Sequence, residues 1–135
     1  MSALGHTWRL RASNTQNQAI TVTVKARYWK YASDGSITWS AEQTLVSAVS
    51  VAATTGSTAS STIDNSTDKY LGMTITGSFT AAATTNGTGT VALYVERSTD
   101  GGTTWPTQDK GIFAGAETIT AAVTTTAQLR NFTFR

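Results

Sequence analysis

The stretch "AITVTVKARYWKY", Ala19–Tyr31, decides the fold. Ile20, Val22, Val24, Ala26 and Tyr28 alternate with Thr21, Thr23, Lys25, Arg27 and Trp29. A period of two predicts a strand with one buried and one wetter face. Working outward, "HTWRLRA" before it alternates in the same way, and "NTQNQ" (Asn14–Gln18) between them reads as a polar turn. "SDGS" turns the chain, and "ITWSAEQTLVSAVSVAA" leads back with one or two strands. "TTGSTASST" and "DNSTD" read as loop or edge material. "YLGMTITGSFTA" puts Leu71, Met73, Ile75 and Phe79 on one face, and "TVALYVER" points Val91, Leu93 and Val95 inward. "GIFAG", "ETITAAV" and "QLRNFTF" follow, and "AETITAAVTTTAQL" has room for one helical turn. Eight or more short strands with turn signals about every 8–12 residues predict an all-β chain, an antiparallel β-sandwich or jelly roll.

Composition agrees. The 135 residues make one domain by length. The 28 threonines suit half-exposed strands, because a β-branched side chain is stiff at χ1. Charged residues are only 13% of the chain, with a net charge of +2, about half the usual charged share. So pale a surface predicts Thr, Ser, Gly and Ala outside, or cover by a partner. There is no cysteine, hence no disulfide and no thiolate site. The opening "MSALGHTWRLRASN" has neither a basic start nor an apolar run of roughly 7–15 residues, so it does not read as a secretory signal. No apolar run approaches the ~18 residues of a membrane span.

Two phrases repeat. "ARYWKYASDGSITWS" (26–40) and "ALYVERSTDGGTTWP" (92–106) coincide at Ala26/Ala92, Tyr28/Tyr94, Asp34/Asp100, Gly35/Gly101, Thr38/Thr104 and Trp39/Trp105. The offset is about half the chain. It fits an internal duplication of a hairpin; it fits equally the convergence of two hairpins on Asp-Gly, a dipeptide that tolerates positive φ. The second phrase holds the pattern S-x-D-x-G-x-T-W as Ser98, Asp100, Gly102, Thr104 and Trp105. This resembles the Asp-box of sialidases and related β-propellers. The first copy keeps Asp34, Thr38 and Trp39 but has Ala32 and Ser36 where the pattern wants Ser and Gly. In those families the motif closes a hairpin away from the active site. The physics predicts the same: the Asp carboxylate accepts backbone N–H groups of its own turn, Gly supplies freedom, and Trp folds back. A propeller needs several four-stranded blades, and this chain is too short for them.

Other chemistry is sparse. His6 is the only histidine and lies near the start, a poor place for an imidazole held between a nucleophile and a carboxylate. "DNSTD" (Asp64–Asp68) offers oxygen ligands without the full loop pattern of a calcium site. "TNGTG" (Thr85–Gly89) has no Lys-Ser/Thr after it and reads as a turn rather than a phosphate cradle. No catalytic, cofactor or metal residues are expected. Arg9, Arg11, Lys25, Arg27 and Lys30 all precede the first acid, Asp34. Arg9, Arg11, Lys25 and Arg27 are the expected docking face for a protein neighbour, with nucleic acid a weaker alternative. Trp29, Tyr31 and Trp8 are the aromatics expected to stack on sugars if the chain binds glycans.

"VALYVERSTDGGTTWPT", with the Thr/Ala/Ser/Gly-rich, cysteine-free composition, resembles small β-sandwich proteins of tailed-bacteriophage virions: decoration (cement) proteins, fibres and tail modules. The resemblance implies a non-enzymatic, homo-oligomeric structural protein made in the host cytoplasm. It would reside in the virion and bind the major capsid protein or other virion proteins, with no membrane partner. The alternative is a tail, neck or fibre module, or a carbohydrate-binding sandwich.

Overall fold

The computed structural model describes residues 4–81, 89–108, 110–118 and 128–134. Within them the chain is all-β, with ten strands. They are β1 (Thr7–Asn14), β2 (Ile20–Tyr31), β3 (Ile37–Trp39), β4 (Gln43–Val51), β5 (Gly56–Ala59), β6 (Ile63–Asp64), β7 (Gly72–Ala81), β8 (Thr90–Ser98), β9 (Ile112–Thr118) and β10 (Gln128–Phe134). They form two five-stranded antiparallel sheets packed face to face. Sheet A runs β5-β1-β8-β9 with β6 also on β1; sheet B runs β10-β7-β2-β3 with β4 also on β2.

The alternation read from the sequence is the core. Leu10 and Ala12 of β1 and Val91, Leu93 and Val95 of β8 meet Ile20, Val22, Val24, Ala26 and Tyr28 of β2 and Met73, Ile75 and Phe79 of β7, all buried. Leu71 falls just before β7 and is only half-buried. Each such side chain contributes about 1.5–3 kcal/mol relative to exposure. "TTGSTASST" supplies the short edge strand β5, and Asp64 of "DNSTD" closes the two-residue β6 before the rest of that stretch turns. The helical turn expected in 116–129, and the "TNGTG" turn apart from Gly89, lie largely outside the described residues.

Both sheets split one edge in the same way. β5 and β6 lie in series along β1, and between them Ser60 N donates to Leu10 O while Leu10 N donates to Ser60 Oγ. β3 and β4 lie in series along β2, and there Ser40 N donates to Tyr28 O while Tyr28 N donates to Ser40 Oγ. In each gap one serine keeps the backbone ladder satisfied.

"NTQNQ" turns the chain between β1 and β2, with Thr15 and Asn17 exposed and two of its amides buried. Asn14 is 1% exposed and Gln16 is 0% exposed. Asn14 Nδ2 donates to Gln18 O, Val51 O and Ala52 O, and its Oδ1 accepts from Gln16 N. These amides stop one end of the sandwich by satisfying backbone carbonyls that the turn leaves over.

The repeated phrases occupy corresponding places. β7 flanks β2 and β1 flanks β8, while each of β2 and β8 also pairs with the strand that follows it. Yet Tyr28 is 7% exposed in the core, whereas Tyr94 pairs with Arg11 on the outer face of sheet A. The two turns coincide, but the strands feeding them point aligned residues to opposite sides. A one-residue change of register is enough for that.

Candidate functional site

The Ser98–Trp105 turn behaves as its residue types predict. Asp100 Oδ1 accepts from Ser98 Oγ at 2.6 Å and from Thr103 N, and its two oxygens accept from Thr104 N and Thr104 Oγ1. Ser98 Oγ accepts in turn from Gly102 N at 2.8 Å. The hydroxyls of Ser98 and Thr104, then the backbone N–H groups, hold the Asp100 carboxyl well below the usual carboxylate range. Gly101 and Gly102 take φ of 73° and 96°, where a side chain is strained. Trp105 Nε1 donates to Gly102 O at 3.0 Å, so the ring folds back under the turn.

The first copy is closed differently. Ala32 stands where Ser98 stands in the second, so Asp34 Oδ1 takes the N–H and hydroxyl of Ser36 instead. Gly35 has φ of 83° with open space around it. Thr38 Oγ1 donates to Lys30 O rather than to the aspartate. Trp39 lies in β3, opposite Trp29, and is 47% exposed.

The second turn covers sheet A. Glu96 points outward from β8 yet is fully buried. Its oxygens accept from Arg9 Nε at 2.6 Å and Arg11 Nε at 2.5 Å. The Arg9 guanidinium lies 4.3 Å from the Trp105 ring centroid. Arg11 also donates to Ser57 Oγ, which donates to Gln108 Oε1. The segment that leaves the turn is thus fastened over the outer face of sheet A. Arg9 and Arg11 retain only 20% and 15% side-chain exposure.

The four-cation docking face needs correction on this point. Arg9 and Arg11 lie on sheet A, Lys25 and Arg27 on sheet B, and the two outer faces look in opposite directions. Arg9 and Arg11 are committed to a buried carboxylate, which the spacing of basic residues along the chain does not reveal.

Among the described residues nothing covers the outer face of sheet B. Trp29 stands opposite Trp39 and Tyr31 opposite Ile37, so these four side chains share the face on which Lys25 and Arg27 also stand. Tyr31, Ile37 and Trp39 are exposed. Trp39 separates two shallow clefts. One of about 190 Å³ is lined by Lys25, Arg27, Glu42, Thr74 and Thr76; the other, of about 200 Å³, by Trp29, Tyr31, Ile37 and Thr133. Lys25 bridges Glu42 at 3.1 Å, and Arg27 donates to Ser40 O with its guanidinium 5.8 Å from the Trp39 ring. Trp8 does not join this surface. It is 1% exposed and packs edge-on against Tyr28, whose hydroxyl is pushed up to about 12 by burial and by Tyr70.

A third place collects polar side chains, at the end of the sandwich where β1 begins and β8 ends. An open cleft of about 700 Å³ has His6, Asp64, Ser66 and Arg97 in its wall. Asp64 belongs to "DNSTD", which folds as a turn. Asn65 Nδ2 donates to Gly5 O and Tyr70 O, and Asp64 Oδ1 accepts from Ser66 N. Among the described residues no group of three His, Cys, Asp or Glu is placed to hold a metal ion, and no helix is long and apolar enough to cross a membrane. His6 is exposed, and its imidazole has no hydrogen-bond partner among the described residues.

Comparison with family models, with curated proteins and with solved structures gives no match for this chain.

Proposed function

We propose that the chain is a non-enzymatic structural protein of a tailed-bacteriophage virion, of the decoration type, which docks the outer face of sheet B on the assembled shell. The observation that supports this reading is the contrast between the sheets. Sheet A is covered by the protein's own loop through Trp105 and Glu96, while sheet B leaves Tyr31, Ile37 and Trp39 exposed together. Exposed apolar side chains in one cluster mark an interaction surface. Ile37 within it favours a protein neighbour, since an aliphatic side chain offers a sugar no stacking face. Lys25 and Arg27 beside the cluster favour an acidic rim on that neighbour, the major capsid protein. Docking of this kind stabilises only the assembled state, and several copies would act together as a homo-oligomer.

The test is mass spectrometry of purified particles, with wild type compared against Trp39→Ala plus Arg27→Glu. The variant should keep thermal stability within about 1 kcal/mol and lose most of its particle occupancy. Full occupancy of the folded variant would remove sheet B as the docking face. Absence of the wild-type chain from particles would remove the virion reading.

The clefts on either side of Trp39 favour a second reading, a fibre or carbohydrate-binding module that stacks a sugar ring on Trp39 beside Glu42 and Arg27. Tryptophan fluorescence titrated with host polysaccharide separates the two, and a flat response across a broad glycan panel removes this one.

A further inference from the structure

Strand β8 ends with its charges in an unexpected order. Glu96 faces outward and is buried, whereas Arg97 stands opposite Trp8 in register, on the core-facing side. Paired residues of an antiparallel ladder share a face, so the Arg97 stem runs inward at the mouth of the sandwich. It passes over Gly5, where an added Cβ would meet its Cδ at 3.3 Å. The cations of β1 and β2 have partners: Arg9 and Arg11 on Glu96, Lys25 on Glu42, Arg27 on Ser40 O and Lys30 on Asp68 O. Arg97 makes no ion pair or hydrogen bond among the described residues, and its Nε is buried. Trp8 Nε1, on the residue directly opposite, is likewise buried without a partner.

Two buried donors without acceptors on one cross-strand pair are uncommon in a folded protein, and each asks for an acceptor. Each member of the pair lines a hollow of its own. Arg97 lines the open cleft of about 700 Å³, and Trp8 lines a smaller one of about 60 Å³ behind it; Asp64 borders both. The hydroxyl and N–H of Ser66 and, more weakly, His6 hold the Asp64 carboxyl below its usual range. Among the described residues the cleft therefore offers one guanidinium without a partner, one carboxylate and several hydroxyls, and its charge nearly balances. A dianion would be repelled by Asp64, while a neutral sugar would leave Arg97 unpaired.

We propose that this cleft is a binding site for a hydroxylated carboxylate, such as a sugar acid, held by Arg97 through its carboxylate and by Asp64 through its hydroxyls. A guanidinium suits a carboxylate because its fork makes two parallel charge-assisted bonds. The site is at the end of the sandwich, apart from the outer face of sheet B, and does not depend on what docks there.

The experiment is a titration of the ¹⁵N-labelled full chain with glucuronate, glucose and inorganic phosphate in separate arms. It follows the Trp8 indole N–H, assigned by its loss in Trp8→Phe, and the Arg97 Nε–H. Glucuronate is expected to move both signals, with glucose and phosphate at least about tenfold weaker. Arg97→Gln should weaken glucuronate about tenfold or more, and Arg97→Lys should restore part of it. Arg97 makes no ion pair or hydrogen bond among the described residues, so these variants should unfold close to the wild-type temperature. No movement with glucuronate, an equal response to glucose or phosphate, or unchanged binding by folded Arg97→Gln would each overturn the assignment.

Discussion

Replacing Glu96 with glutamine tests whether Arg9 and Arg11 belong to the fold. The carboxylate has no exposed side-chain surface and takes one guanidinium on each oxygen. In Glu96→Gln the amide nitrogen faces one of those Nε–H donors, so one contact becomes donor against donor and the charge is lost from both. Breaking a buried ion pair costs about 3–5 kcal/mol. The arginines keep 20% and 15% exposure, and water screens part of the loss, which reduces the expectation to about 2–4 kcal/mol. With an unfolding entropy of about 0.28 kcal/mol/K for a chain of this length, 3 kcal/mol lowers Tm by about 10 °C. Urea unfolding should show a lower midpoint with an unchanged slope, since the surface exposed on unfolding is the same. Glu42→Gln is the control. Its pair with Lys25 is exposed at 53% and 45% and should cost less than about 1 kcal/mol. Equal losses in the two variants would refute the reasoning and return Arg9 and Arg11 to the docking face.

Two further outcomes are expected. The folded Asp100 carboxyl titrates below its usual 3.8, so the stability it contributes is complete above that value and is lost as pH falls toward the lower folded value. Asp100→Asn should therefore be less stable than wild type at neutral pH, and the gap should narrow in acid; thermal melts across this range measure it. At Gly56 an added Cβ would lie 2.2 Å from Ala52 O, a backbone atom that has nowhere to go, while at Gly35 nothing lies within 4 Å. Gly56→Ala should cost about 3 kcal/mol or more, or prevent folding. Gly35→Ala should cost about 1–2 kcal/mol for its left-handed backbone alone, as read by urea midpoints.

The strands were legible because their period is local. Ile20 to Tyr28, Met73 to Phe79 and Val91 to Val95 announce their buried side through nearest neighbours alone, and the same parity carries on to Arg97. The Asp100 turn was legible for the same reason, since its bonds span at most four residues. The polar turn at Asn14–Gln18 is legible too, but the burial of Asn14 and Gln16 is not, because the carbonyls that take their amides come from residues 18, 51, 52 and 89.

Which residues alternate, where the chain turns and that the product is a two-faced all-β domain follow from local pattern, because side-chain direction in a strand depends only on position. The tertiary structure alone decided which outer face stays open. Glu96 and Lys25 have the same outward parity on strands of similar pattern, but a loop returning through Trp105 seals one and nothing in the described chain covers the other. Burial on an outer face depends on what arrives from far along the chain, and period carries no record of that.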